Sequence, residues 1–338
     1  EWGVVRVSLS LTKKRYKELD MRKILTTNVI ALALSTTSAF SADLPSHKAP
    51  PPAAPVLSWT GAYAGLNAGY NWGTNANLGV QNQGPAWTEV GESDGFSASS
   101  GPVATSGWGQ NTQSGFIGGA QFGYNYQWSS NIVIGIETDI QGTIISGNTK
   151  TRGVAAFSQP SDEVAGRSAD SSAIGGSNIN SGLDYLGTVR GRLGYLVTPT
   201  MLIYGTGGFT YGGAYANVKQ SAVETLGYNP VAFLPEQYTN QAWMGGGQQN
   251  QILTGWNAGG GVEWMFMPNW SLKAEALYWD LGRMNINTAS YVTSPYPNYY
   301  NSNIAWGRTS VSYQGIQAKI GVSYHFNFAN VAPVVAKF

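Results

Sequence analysis

Few side chains in this sequence are equipped for chemistry, and those that are recur two residues apart. Glu137 and Asp139, Arg190 and Arg192, and Lys273 and Glu275 form such pairs, joined by Asp184, Glu263 and Lys319. In an extended strand, alternate residues share a face, so each pair would project from one side of one strand. Charges gathered this way could line a polar passage or neutralise one another. Nucleophilic catalysis finds less support. There is no cysteine, which removes thiolate nucleophiles, thiolate metal sites and disulfides together. Of the two histidines, His47 lies in a proline-rich stretch and His325 near the end of the chain. A Ser-His-acid triad needs a histidine held against a serine and a carboxylate, and nothing in the sequence marks such partners for His325. The acids Glu89, Glu92, Asp94, Asp162, Glu163 and Asp170 lack the spacing of a calcium loop. Gly207-Gly208 introduces no helix and is no phosphate loop. No catalytic residue, cofactor or metal site is therefore expected, and the chain is expected not to be an enzyme.

The elements that must carry these charges are legible in the composition. Only 11% of residues are charged, against roughly 25% in ordinary soluble domains. Glycine (44 residues) and aromatics (12%) are both abundant, yet the mean hydropathy is only −0.16. A membrane β-barrel averages to such a value, because a lipid-facing residue alternates with a lumen-facing one.

The N-terminal region resembles an address. Arg22 and Lys23 follow Met21, and Ile24 to Leu34 supply a short apolar core. Ala39 and Ser41 then stand at the −3 and −1 positions of a signal-peptidase site. That core is too short to span a bilayer as a helix, which takes about 20 apolar residues. Residues 21–41 are expected to be a signal peptide. Residues 1–20, with five basic side chains, are expected to be an upstream extension from a mis-assigned start; Lys17-Glu18 fits a ribosome-binding codon pair before Met21. Without residues 1–41 the chain holds 12 basic and 15 acidic residues, a formal charge of −3. No basic patch for nucleic acid remains. Residues 42–58, rich in proline and alanine, are expected to form a periplasmic linker. The barrel is expected over 59–328 and a C-terminal tail over 329–338.

From Trp59 onward one pattern repeats, apolar or aromatic residues alternating with small or polar ones. The period of two is the strand signature. Eight such segments are predicted: 59–72, 116–128, 132–144, 183–196, 201–215, 255–267, 270–281 and 315–326. Ile132, Ile134, Ile136 and Ile140 oppose Glu137, Asp139 and Gln141; Leu183, Tyr185, Val189, Leu193 and Tyr195 oppose Asp184, Arg190 and Arg192. The fifth segment is glycine-rich, and its faces are not assigned. Segments two and three, four and five, and six and seven are joined by very short turns. The other connections, 73–115, 145–182, 216–254 and 282–314, are long. Short turns at one rim and long loops at the other is the layout of outer-membrane barrels. Trp59, Trp72, Trp128, Trp256, Trp264 and Trp270 fall near strand ends, as interfacial aromatic girdles require.

The predicted fold is all-β: a closed eight-stranded antiparallel transmembrane β-barrel with three short periplasmic turns and four long extracellular loops. Eight strands enclose a bore that side chains just fill. Inward charges there must be paired or cost several kcal/mol each. Glu137, Asp139, Asp184, Arg190, Arg192, Glu263, Lys273, Glu275 and Lys319 are accordingly expected to form a structural ion-pair network plugging the lumen. A narrow channel lined by the same charges is the alternative.

Four stretches carry a family resemblance: W-T-G-A-Y-A-G-L-N-A-G-Y-N-W-G (59–73), R-G-R-L-G-Y (190–195), L-I-Y-G-T-G-G-F-T-Y-G (202–212) and W-S-L-K-A-E-A-L-Y-W-D-L-G (270–282). Together with the A-D-L-P start at Ala42, the chain resembles the small outer-membrane β-barrel family of alphaproteobacteria. That family is related in fold to the OmpA-like membrane domain and includes haemin-binding surface antigens. Lys319, Gly321, Tyr324 and Phe326 also resemble a barrel-assembly signal on the last strand, although Asn327 to Phe338 follow it. The resemblance implies an outer-membrane location, contact with outer-membrane lipid and the barrel-assembly machinery, and a structural, surface-exposed role in envelope integrity and display. A small-solute porin and a haem-binding or adhesive surface protein are the alternatives. With no histidine in the predicted external loops, a haem ligand would have to come from a tyrosine cluster such as Tyr291 to Tyr300.

Overall fold

Side chains that alternate between lipid and lumen leave no edge exposed only if the sheet closes on itself, since hydrocarbon offers no partner to a free N–H or C=O. The structure, a computed structural model, describes residues 58–74, 76–83, 100–160, 168–228, 237–293 and 304–326. Its elements are β1 (Gly61–Gly73), β2 (Ala76–Gln83), α1 (Gly101–Ala104), β3 (Gly107–Asn111), β4 (Gly115–Gln127), β5 (Ile132–Pro160), β6 (Ser168–Thr198), β7 (Met201–Tyr228), β8 (Gln237–Met267), β9 (Trp270–Thr293) and β10 (Ile304–Phe326). The ring runs β1-β4-β5-β6-β7-β8-β9-β10, every neighbour antiparallel. β10 then returns to β1, from Ala62↔Phe326 to Gly73↔Gly315, and closes the barrel of eight strands. The segments expected at 1–41, most of the 42–58 linker and the tail beyond 326 lie outside the described residues, as do Ala39 and Ser41.

The ring has two storeys. β1 and β4 have 13 residues each, whereas β6 and β8 have 31. At ~3.3 Å per residue such a strand is about 100 Å long, and a membrane crossing uses only about 9–11 residues. Above Gly73 the wall continues without β1: β2 takes its place beside β10, from Val311↔Leu78 to Trp306↔Gln83, and β3 pairs with β2. β3 reaches β5 through the Thr149 hydroxyl, which lies 3.1 Å from both the Gln110 carbonyl and Asn111 Oδ1, and the segment after β3 adds a Ser114–Ser146 bridge. The four connections expected as long loops are therefore largely strand. Their outward residues mix polar side chains such as Asn148, Asn180, Asn217 and Gln248 with isolated apolar ones such as Val154, Ile174, Val223 and Met244, so the regular apolar alternation that marks the lower strands is missing there.

In the lower storey the outward face is apolar: Leu66, Phe122, Ile136, Ile140, Leu193 and Ile320 are all exposed. Trp72, Trp128, Trp256, Trp264 and Trp270 are exposed on the same face, at the two ends of the belt. Trp59 departs from the expected girdle. It is 1% exposed, tucked inside the lower mouth with its indole N–H on the Pro199 carbonyl at 3.0 Å. The unassigned faces of the fifth segment are regular in β7, with Leu202, Tyr204, Thr206 and Thr210 inward.

A second correction concerns β6. A bulge between Leu183 and Tyr185 leaves Asp184 without a register partner on β5 or β7. An extra residue shifts the face of everything beyond it. Even-numbered Leu186, Thr188, Arg190 and Arg192 are buried below the bulge, and odd-numbered Ile179, Ser181 and Leu183 above it. Leu183, expected to face lipid, thus faces the lumen, and Asp184, expected in the lumen, is exposed on the outer wall.

If the lower apolar belt is the lipid belt, Ile136→Arg should cost about 2–4 kcal/mol, as arginine does at a bilayer midplane. Ile174→Arg, at an equally exposed apolar position on the upper storey, should cost less than about 0.5 kcal/mol. Guanidinium unfolding of the barrel in phospholipid vesicles reads both. Equal losses would move the bilayer.

Candidate functional site

The lumen is where chemistry-bearing side chains converge, and it is filled in layers. At the lower mouth Trp59 packs with Val133, Leu196, Leu202, Tyr204 and Met265. His325 stacks on Tyr63, ring centroids 5.3 Å apart, and meets the edge of Trp59 at 5.7 Å. Here Ser271, His325 and Glu263, all buried, come together in a group that sequence reasoning did not find. The Ser271 hydroxyl lies 2.9 Å from His325 Nε2 and 2.7 Å from Glu263, and the same Nε2 lies 3.2 Å from Glu263. A triad places the acid on one ring nitrogen and the nucleophile on the other; here both compete for Nε2. The signal that would have found it is register. Ser271 and His325 face inward on adjacent strands at Ser271↔Ser323, and Glu263↔Lys273 is the next inward pair.

The next layer is ionic. Glu137 and Arg190 are register partners on β5 and β6, as are Lys319 and Glu275 on β10 and β9. Arg190 reaches Glu137, Asp139 at 2.9 Å and Glu275 at 2.7 Å. Arg192 reaches Glu263 at 2.6 Å and Glu137 at 3.3 Å, with its guanidinium 4.0 Å from the centre of the Tyr204 ring. Lys319 holds Asp139 at 2.5 Å and Glu275 at 3.1 Å. Lys273, paired in register with Glu263, instead crosses the bore to Glu137 at 2.8 Å. Tyr63 receives a hydrogen bond from Arg192 and donates one to Glu137, both at 2.6 Å. Tyr204 donates to Glu275 and Thr188 to Asp139, each at 2.8 Å.

Eight of the nine expected lumen charges meet here, four acidic and four basic, each 4% exposed or less; Asp184 does not. Formal charge therefore cancels within the layer. Carboxylate oxygens of Glu137, Asp139 and Glu275 lie within 4.8 Å of one another, close enough for a metal. The cation already among them is the Arg190 guanidinium, which contacts all three.

Above the charges the bore is apolar. Ile145, Ile179, Leu183, Leu186, Met284 and Tyr313 belong to one buried cluster. At the top, the segment containing α1 is folded inside the wall. The Glu224 carboxylate on β7 accepts from the Ser100 N–H, the Ser171 hydroxyl, the Trp243 indole and, at 2.8 Å, Gln241. A side chain at Gly101 would strike the Trp243 ring, its Cβ falling 2.1 Å from that ring. Ser177 donates to the Thr105 carbonyl at 2.8 Å. None of these residues was expected to matter, because all of them lie in stretches predicted as loop.

The assembly-signal residues sit on the closing strand. Lys319 is in the ionic layer, and a side chain at Gly321 would press on the Leu66 carbonyl. Tyr324 and Phe326 are outward, rings 5.1 Å apart. Tyr291 is exposed on β9; Tyr296, Tyr299 and Tyr300 lie outside the described residues.

Removing Arg190, the cation shared by three carboxylates, should be costly. Arg190→Met is expected to destabilise by about 3–5 kcal/mol, the usual loss when a buried ion pair keeps only one partner. Arg152→Met, on the exposed outer wall, should change little. Unfolding in vesicles compares them, and similar small losses would mean that the bore is wet.

Among solved structures, the chain is similar to the attachment invasion locus protein Ail of Yersinia pestis at 11% identity, covering 79% of this chain and 99% of that one with a TM-score of 0.24. It is also similar to the outer membrane protein OprG of Pseudomonas aeruginosa at 11% identity, covering 79% and 96%, with a TM-score of 0.30. No family model matches the chain. Curated relatives are closer: the 31 kDa outer-membrane immunogenic proteins of Brucella melitensis biotype 1 and Brucella suis biovar 1 are each 33% identical over 257 residues, 75% of this chain and 85% of theirs. On that identity and extent, and with a closed ring whose outward belt is apolar, the chain belongs to the family of these outer-membrane immunogenic proteins, surface-exposed β-barrels of the bacterial outer membrane.

Proposed function

We propose that this barrel is a structural and display element of the outer membrane whose lumen is sealed, and that it neither conducts solutes nor catalyses a reaction. The observation that carries this reading is the ionic layer. Four carboxylates and four cations from β5, β6, β8, β9 and β10 bridge the bore with every side chain 2% exposed or less. A conducting pore of this width would need those groups solvated, and a plug needs them paired. The apolar cluster above and the Trp59 layer below add two further barriers in series. The Ser271–His325–Glu263 group is enclosed by that same lower layer, which denies it a substrate as well as the geometry of a triad.

In this reading the lower storey holds the protein in lipid and the upper storey presents a rigid wall to the exterior. Outer-membrane lipid is the standing partner, and the closing strand, with Tyr324 and Phe326 outward, is the surface offered to the assembly machinery. A small-solute channel is the second reading, favoured by the polar character of the same layer.

Planar-bilayer recording separates the two. The refolded barrel should give no stable unitary opening at either polarity. Reproducible discrete steps from the unmodified chain would overturn the sealed lumen and leave the channel standing.

A further inference from the structure

Just above the lipid belt, the outer wall carries side chains that neither the fold nor the sealed lumen uses. Asn148, Asn180, Asn217 and Gln248 are successive register partners across β5, β6, β7 and β8. All four are exposed and point away from the bore. At ~4.8 Å between strands this amide row is about 14 Å long. Asparagine is depleted in strands, so three in direct register on neighbouring strands are not a consequence of forming the sheet. One step higher, Lys150, Asn178 and Lys219 are again register partners. One step lower, Tyr215 lies across Gly182, where a Cβ would fall 2.6 Å from its hydroxyl, and Asn250 is its partner on β8. The Asp184 bulge adds a carboxylate beside them, and all of these side chains except Lys150 line a groove of about 680 Å³.

An amide both donates and accepts, as neighbouring sugar hydroxyls do. Ammonium groups suit phosphate as point charges. A row of amides under two lysines, with an aromatic ring laid flat beside it, is therefore complementary to a phosphorylated saccharide. Its height identifies the source. Asn148 lies beyond Ile144, where the run of exposed isoleucines on lower β5 stops and after which the next exposed large apolar residue is Val154, by four residues or about 13 Å of strand. That is the headgroup layer of the surrounding leaflet, which in this membrane is built from phosphorylated glycolipid. We propose that the Asn148–Asn180–Asn217–Gln248 ladder, with Lys150 and Lys219, is a binding site for the saccharide headgroup of an outer-leaflet glycolipid lying beside the barrel. The inference rests on the outer-membrane location and is independent of whether the lumen is sealed.

The test uses the refolded full barrel in nanodiscs and fluorescently labelled rough-type lipopolysaccharide, with phosphatidylglycerol nanodiscs as the unlabelled background. Asn180→Val with Asn217→Val removes two rungs while favouring the strand, and heat-modifiable migration reports that the variant is folded. Losing two hydrogen-bonding amides should weaken binding about tenfold, and Lys150→Gln with Lys219→Gln should weaken it further as salt is lowered relative to the unmodified chain. Asn287→Val, an exposed amide on β9 away from the ladder, should leave affinity unchanged. Equal affinity of the folded double valine variant would overturn the site. Delipidated core oligosaccharide binding as tightly as the intact glycolipid, with the same sensitivity to the valines, would overturn the assignment to a neighbouring lipid in favour of a soluble glycan.

Discussion

A strand in hydrocarbon must find partners for both of its edges, and the β1–β10 seam is where this chain meets that demand. Twelve register pairs, from Ala62↔Phe326 to Gly73↔Gly315, join the first strand to the last. Everything else about the lower storey follows from closing so few strands. The bore is narrow enough for side chains from opposite walls to touch, so whatever faces inward must be compatible with its neighbours across the gap as well as beside it. Lys273 illustrates the point. Its register partner is Glu263, yet it lies on Glu137 across the barrel. Arg192, left to Glu263, completes the exchange. Charges taken out of water this completely repay their desolvation only with good geometry and additional hydrogen bonds; Tyr63, Tyr204 and Thr188 supply three, while Arg190 Nε and Arg192 Nε find no partner among the described residues.

How much of this was legible beforehand depends on which face carried the signal. Where an apolar residue faced lipid, alternation was unmistakable, and strand identity, facing and the short turns could be read directly. Eight of the lumen charges were found the same way, because a charge between two apolar neighbours in a strand has only one dry place to go. Beyond the belt polar and apolar residues mix irregularly on the outer face, and such a pattern resembles a loop. The upper halves of β5 to β10 were invisible for that reason, and with them Glu224 and Trp243. Asp184 and Leu183 were misplaced by a single extra residue. A bulge changes parity without changing composition, so no periodicity count can locate it. Trp59 failed differently: a tryptophan at a strand end satisfies either a girdle or a mouth, and only the three-dimensional mouth decides.

The two storeys answer to different solvents. Below, hydrocarbon requires an apolar exterior and tolerates charge inside. Above, the exterior is more polar, with Asn148, Asn180 and Asn217 exposed beside isolated Val154 and Ile174, and the bore just over the ionic layer becomes apolar, with Ile179, Leu183 and Met284 where the lower storey has arginine and glutamate. The β6 bulge lies near this boundary, where the inward positions pass from even to odd.

The clasp at the top of the bore also bears on time. Ser100, at the start of α1, is held by Glu224, a separation of 124 residues, and by Ser171, a separation of 71. Contacts between such distant positions are slow to form, because the entropy of the intervening chain is lost before they reward it. Nor can the clasp exist until β7 has been synthesised and has taken its place in the wall. The short helix that begins after Ser100 can therefore take its final place only once β6 and β7 stand in the wall.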